Sequence, residues 1–423
     1  MHHFEYKNKE LHCEEVPLSR IAEEVGTPTY VYSNATMERH FKAFDHAFQD
    51  MRHLTCYSVK ANSNISLLRL FANLGGGADI VSGGELFRAL QAGVPANRIV
   101  FSGVGKTAEE MKAAIQADIL MFSVESDQEL TLLGETARSM GKTARVSLRV
   151  NPDVDPQTHP YISTGLKKNK FGVPIDKALS EYKRAADMDG LEVIGVNCHI
   201  GSQLTSVSPF VDAIARLRNL LDQLKTAGIT IKYLDLGGGL GITYDAEKPP
   251  EPSEYARALQ KALEGLDLTV VLEPGRVIVG NAGILLARVL YIKDGPDKSF
   301  VVTDGAMNDL MRPALYGSYH VIRPVTQVDR EPVNVDVVGP ICESSDFLAK
   351  DRQAPRFEQG DLLAVMSAGA YGFSMSSNYN SRRRSAEVLV KGDGYHVIRA
   401  RETNDDLIRG EKLPDFLLEK ETL

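Results

Sequence analysis

The chain has 423 residues, with 48 basic and 56 acidic side chains spread along it and a net charge of −8, which gives no electrostatic footprint for nucleic acid or an anionic membrane surface. Its hydrophobic share is 43%, of which aromatics are a small part, with no Trp; the length favours two domains and the aliphatic bias suits parallel sheets. Cys13, Cys56, Cys198 and Cys342 form no CxxC pair, the start MHHFEYKNKE is polar, and no apolar run approaches a membrane span, so the expectation is a reduced cytoplasmic protein with no disulfide framework, no metal site and no membrane partner.

Between about residues 25 and 280, short β-branched runs alternate with amphipathic stretches. The runs at 55–60, 78–81, 98–102, 119–124, 145–150, 192–199, 232–236 and 268–273 read as strands. Helical stretches between them include 108–117, 126–140, 174–188, 209–227 and 253–263. In the fourth of these Phe210, Ile214, Leu217, Leu220, Leu221 and Leu224 recur at helical spacing. Eight βα units in about 250 residues fit a TIM (β/α)8 barrel. A doubly wound open sheet is the alternative, and it rarely repeats the unit so often. From 281 to 423 the texture changes. Runs at 284–292, 299–304, 333–338, 361–366, 386–391 and 395–399 read as strands separated by Gly and Pro, with no long helices. This segment is expected to be an all-β domain, barrel or sandwich-like, with residues 1–24 contributing to it.

In a TIM barrel the active site lies at the C-terminal ends of the strands, and the reactive residues of this chain collect there. Lys60 ends the first strand in YSVKAN, and Asp79 lies on the second. Arg149 ends the fifth. His199 ends the sixth, followed by Gly201 and Ser202. Gly237, Gly238 and Gly239 follow the seventh. Glu273 ends the eighth, ahead of Gly275 and Arg276. Each is weak evidence alone: a strand-end lysine is usually solvated, and an isolated histidine usually belongs to a core. A desolvated lysine has a lowered pKa and can form a Schiff base. The glycine run is neither a P-loop nor a GxGxxG fingerprint, but after a barrel strand it lets backbone N–H groups approach a phosphate. A carboxylate such as Glu273 facing a pyridine nitrogen would keep it protonated. Lysine, phosphate cradle and ring-facing acid together describe a pyridoxal-phosphate site. Asp79 and Arg149 read equally well as a buried ion pair beside it.

YSVKAN, GADIVSGGEL, NCHIGSQ, DLGGGLGI and EPGR resemble the cofactor motifs of the fold-type III pyridoxal-phosphate enzymes, the alanine racemase and ornithine decarboxylase group, over nearly the whole chain. The resemblance implies that Lys60 is the Schiff-base residue and that His199 stacks on the ring. It implies that Ser202, Gly238, Gly239, Gly275 and Arg276 hold the cofactor, with Glu273 on the pyridine nitrogen, where alanine racemases have an arginine. MRPALYGSYH, GPICESSDFLAKDR and GAYGFSMSSNYNSR are similar to the diaminopimelate decarboxylase family. That similarity implies substrate recognition by Arg276, Arg312, Tyr316, Glu343 and Tyr371, proton donation by Cys342, and meso-diaminopimelate as substrate, giving L-lysine and CO2. Two arginines suit the distal carboxylate and Glu343 the distal ammonium. The resemblance also implies a homodimer with shared active sites, in which Cys342 and Glu343 reach the partner's Lys60. The chain departs from the family at Ser345, where a glycine is common, and at Arg383 and Ser385, where prolines are. Other substrates on the same fold (D-ornithine, lysine, arginine or carboxynorspermidine) remain open. So does a non-catalytic cofactor carrier, although carriers lack the β domain and the CES loop. Lone cysteines usually pack, as expected here for Cys56 and Cys198, and Arg382–Arg384 reads as a solvated or interface loop.

Overall fold

The computed structural model describes residues 2–154, 170–296 and 298–418. Eight parallel strands close into a barrel: His53–Ser58, Gly77–Ile80, Ile99–Phe101, Met121–Val124, Ala144–Asn151, Leu191–Asn197, Tyr233–Asp235 and Thr269–Leu272, the last pairing back onto the first. Gly77–Ile80 and Met121–Val124 are buried along their whole length. That explains why the barrel strands read as continuous apolar runs without alternation: helices cover the outer face while side chains fill the interior.

The helices follow their local chemistry. Ala108–Ala117 starts in a capping box, with Thr107 and Glu110 satisfying each other's backbone N–H. Asp127–Ser139 is capped by Ser126 and Gly83–Gln91 by Ser82. In Ser208–Thr226 the six apolar residues expected to face the core are all buried. The doubly wound alternative is excluded by barrel closure.

The second domain is built on a nine-stranded sheet whose main path runs Phe347–Pro355, Pro332–Val338, Ser299–Thr303, Gly283–Asp294, Thr29–Ser33, Ala386–Lys391 and Gly394–Arg399, with Leu362–Val365 and Ile322–Pro324 pairing off it. The sheet is mixed: Ser299–Thr303 runs parallel to Pro332–Val338, and Thr29–Ser33 parallel to Ala386–Lys391. One sequence expectation is corrected here. Thr29–Ser33 was read as the start of the barrel segment, but it sits in the middle of the β-domain sheet, between Gly283–Asp294 and Ala386–Lys391. The segment TYVYS suits either sheet, and only a partner some 250 residues away decides which. Residues 347–352, the end of the GPICESSDFLAKDR segment, begin a strand that pairs with Pro332–Val338. The first residues form their own sheet of Phe4–Lys7, Glu10–Cys13 and Val16–Pro17, attached to the domain through a Glu10–Thr326 bridge.

The two domains meet at the YSVKANSN segment. Ala61 O accepts from Tyr371 N at 2.8 Å and from Ser374 Oγ at 3.3 Å. Asn62 Nδ2 donates to Gly369 O at 3.3 Å, and Asn64 Nδ2 to the buried carboxylate of Glu387 at 2.9 Å. The β domain thus holds the turn that carries Lys60.

Candidate active site

Lys60 lies just past its strand, in the 3-10 turn Val59–Ala61. Its Nζ donates to Asp79 Oδ2 at 2.7 Å, and its side chain stays 34% exposed toward the cavity. Asp79 is fully buried, and the same oxygen accepts from Ser58 Oγ at 2.9 Å. Burial acts to lower the Lys60 pKa, but the charges of Asp79 and Glu273 outweigh it and hold the ammonium well above the usual lysine value. The expected lowering is therefore corrected. Sequence placed the lysine in an apolar barrel mouth but could not place Asp79 within hydrogen-bond distance of it.

A cavity opens over this lysine. Its wall includes His199, Ser202, Gly238, Gly239, Glu273, Gly275, Arg276 and Tyr371. Gly237 has φ +66° and Gly239 φ +112°, conformations that favour glycine. A Cβ on Gly237 would meet the His199 ring at 2.5 Å, and one on Gly239 the Gly201 carbonyl at 2.5 Å. The run is thus glycine because its backbone lies directly against its neighbours. The Gly238 N–H is not turned to a ligand: it donates to His199 Nδ1 at 3.2 Å. That bond leaves the ring proton on Nε2. Burial, then Arg149 and Lys60, push the His199 pKa well below its usual value, so the imidazole is neutral.

Glu273 follows directly on the eighth strand and is 4% exposed. Burial, then the carboxyl groups of Asp235 and Asp79, push its pKa well above the usual carboxylate range. Asp235, fully buried, is itself pushed up to about 6 by burial, while its Oδ1 accepts from Gly237 N at 2.9 Å. Burial thus favours the protonated form of Glu273. Asp235 opens the DLGGGLGI motif, but sequence reading gave it no role.

Arg149 lies inside the fifth strand and does not line the cavity. It pairs with Glu125 at 2.9 Å and its Nη2 donates to the His199 carbonyl at 3.4 Å. Behind it is a buried ladder that sequence reading missed. Lys106 Nζ, with its side chain fully buried, donates to Glu129 at 2.6 Å and to the carbonyls of Gly103 and Ser123, each at 2.7 Å. Glu129 in turn accepts from Glu125 N at 2.9 Å. Replacing Lys106 with alanine leaves a buried carboxylate uncompensated, and unfolding free energy should fall by about 3–5 kcal/mol in a urea titration.

Arg276 projects from the turn after Glu273. Its Nη1 donates to Tyr244 Oη at 2.7 Å and its Nη2 to Ser202 Oγ at 3.1 Å. It also lies 4.8 Å from the centre of the Tyr371 ring. Arg312, on the short helix Arg312–Tyr316, reaches the same neighbourhood through Tyr244, 4.4 Å from that ring centre. Neither Arg312 nor Tyr316 lines the cavity itself. Cys342 and Glu343 are exposed on a loop, with Cys342 N donating to Asn380 Oδ1 at 2.7 Å, and they are absent from the cavity wall of their own chain. Of the departures from the family pattern, Ser385 has a local explanation: its hydroxyl donates to the buried Asp309 at 2.6 Å.

Comparison with known proteins agrees with this geometry. Residues 34–280 match the family described as pyridoxal-dependent decarboxylase, pyridoxal binding domain. A diaminopimelate decarboxylase of Pseudomonas aeruginosa is 57% identical over 97% of this chain and 99% of its own. Two solved structures superpose closely. One is the diaminopimelate decarboxylase of Helicobacter pylori complexed with L-lysine, at TM-score 0.90 and 45% identity, covering 93% of this chain and 98% of that one. The other is the M. jannaschii enzyme with L-lysine, at 0.93 and 42%, covering 98% of each. Among the described residues, no helix is long and apolar enough to cross a membrane. The fold, the lysine-and-glycine cavity and these matches agree: the chain belongs to the pyridoxal-dependent decarboxylases and, within them, to the diaminopimelate decarboxylase family.

Proposed function

We propose that the chain decarboxylates meso-2,6-diaminopimelate to L-lysine and CO2, the last step of lysine synthesis by the diaminopimelate route. The observation that carries this reading is a pair of buried arginines beside the cavity, Arg276 and Arg312, facing no carboxylate of the protein among the described residues. A buried positive pair of this kind is matched by a substrate that keeps a carboxylate at its far end. Because the product is L-lysine, the carboxylate lost is that of the D-centre, and the L-centre is the end the arginines hold.

The residues present fit pyridoxal phosphate: an amine at the cavity floor, a glycine run pressed against its neighbours, and a buried carboxyl that needs a cation to ionise. When bound, the cofactor supplies an electron sink for the charge left at Cα. Lys60 would anchor it, and Asp79 keeps that amine protonated in the cofactor-free chain. Ser202, Gly239 and the Gly275–Arg276 turn would hold the cofactor. The neutral His199, fixed by Gly238 N–H and by Arg149 through its carbonyl, offers its face to the ring. Glu273 gains a partner for its charge in the ring nitrogen. Tyr371 and Tyr316 close the substrate side. Cys342 of a partner subunit delivers the proton to Cα, and Glu343 beside it takes the distal ammonium.

The last assignment requires a homodimer, and the exposure of Cys342 and Glu343 away from their own cavity supports it. Co-expressing Lys60→Ala and Cys342→Ala chains tests it. Each variant alone should be inactive. Mixed dimers should regain one working site, restoring up to about a quarter of wild-type activity in a random mixture, since residues of one shared site act as a unit. Two inactive variants that give no activity when mixed would remove the shared site.

A further inference from the structure

Two buried guanidiniums lying close together repel each other and are costly to desolvate. Here they are 7% and 5% exposed, and the Nε of each is buried without a hydrogen-bond partner. The groups that do hold them are neutral. Tyr244 Oη accepts from Arg276, while the face of the same ring lies 4.4 Å from the Arg312 guanidinium carbon and 5.8 Å from that of Arg276. A ring face attracts a cation without cancelling its charge. On the other side, His320 is fully buried and its Nε2 accepts from Arg312 Nη1 at 2.8 Å. Its Nδ1 lies 2.8 Å from the Met366 carbonyl, which can only accept, so Nδ1 carries the proton and Nε2 the lone pair. Burial and the neighbouring Arg312 push His320 down to about 3, which keeps it neutral. Tyr244 and His320 also pack edge to face at 5.3 Å, so the two holders form one unit.

We propose that Tyr244 and His320 are positioning residues for substrate selection: they fix Arg276 and Arg312 side by side on neutral acceptors, so that both positive charges remain available to the distal carboxylate. An aspartate or glutamate in either place would fix an arginine equally well but would neutralise it. The site would then stop distinguishing an amino acid end from a bare amine. The inference rests on the substrate reading above and adds the residues that make it selective.

Binding of L-lysine to the cofactor-loaded enzyme reads this directly, because L-lysine retains the carboxylate in question. The matching control is 1,5-diaminopentane, which lacks it. By calorimetry, His320→Leu and Tyr244→Phe should each weaken L-lysine by about tenfold or more, the effect of losing a hydrogen bond to a charged group, with diaminopentane changed by less than about twofold. In turnover the same variants should raise KM for diaminopimelate more than they lower kcat. His320→Gln, whose amide oxygen can accept from Arg312, should recover most of the L-lysine affinity. Arg312→Ala serves as the reference. If it weakens L-lysine while His320→Leu and Tyr244→Phe do not, the inference is overturned and the substrate reading stands. If Arg312→Ala itself leaves L-lysine unaffected, the substrate reading fails first. Equal losses for both ligands would also overturn the inference, since they would mark a general structural role.

Discussion

Lys60→Ala should lose decarboxylase activity by at least about a thousandfold in kcat, as removal of an essential chemical group does, together with the visible absorbance of a lysine-linked pyridoxal group. Lys60→Arg is the sharper variant. A guanidinium keeps the ion pair with Asp79, 2.7 Å from the lysine nitrogen in the native chain, but it does not give up its proton near neutral pH. If Lys60 merely neutralised Asp79, the arginine variant would retain much of the activity. If the lysine must shed its proton to anchor the cofactor, the arginine variant will fold, keep its melting temperature and be as inactive as the alanine. The raised Lys60 pKa makes this separation meaningful: in the cofactor-free chain the amine is held charged by Asp79, so anchoring and proton loss are linked. Substantial turnover by Lys60→Arg would remove the anchoring role.

Glu273→Gln should lower kcat by about 10²–10³-fold, the usual cost of removing a group that stabilises charge in a dry site, with a smaller change in KM. A glutamine keeps the shape of the side chain but cannot carry the negative charge that would hold a ring nitrogen protonated. The same variant has an opposite effect on the cofactor-free chain. Burial, Asp235 and Asp79 raise the Glu273 pKa in the folded state, so the folded chain binds more protons than the unfolded one above the ordinary carboxylate pKa. Stability from this group is then fullest at low pH and declines as pH rises toward the folded value. Asp235, raised to about 6, acts in the same direction. Cofactor-free wild type should therefore lose melting temperature more steeply than cofactor-free Glu273→Gln as pH rises above the ordinary carboxylate range. A parallel pH dependence in the two proteins would contradict the protonated carboxyl pair.

What the sequence disclosed and what it concealed divide along a physical line. The barrel strands were readable because a parallel sheet buried on both faces must be apolar throughout. The cavity residues were readable because the barrel fixes which strand ends converge. Thr29–Ser33 was not readable, since nothing local in TYVYS distinguishes a barrel strand from a sheet strand. Nor was the direction of the Lys60 shift, which depends on a single distance to Asp79. Tyr244 lies outside the quoted motifs, and His320, although it closes MRPALYGSYH, received no role from the sequence: an aromatic after a glycine run and a histidine after a tyrosine are common. Their importance exists only where Arg276 and Arg312 meet. The Lys106–Glu129 pair was hidden for the same reason, since the two residues are 23 positions apart and paired only by the barrel.

The place of Thr29–Ser33 at the centre of the β-domain sheet has a consequence for how the chain is made. The strand leaves the ribosome well before one flanking strand, Ala386–Lys391, and Tyr32 hydrogen-bonds Glu387 across 355 positions. At about 5–20 residues per second, the strand waits for on the order of tens of seconds with at least one edge unpaired while the whole barrel is synthesised beside it. An unpaired apolar strand is a template for intermolecular pairing. The N-terminal segment is therefore the part of the nascent chain most in need of chaperone protection. For the same reason, cutting the gene between barrel and β domain near position 281 would yield a β fragment without a central strand, and supplying residues 2–33 in trans should be what restores its solubility.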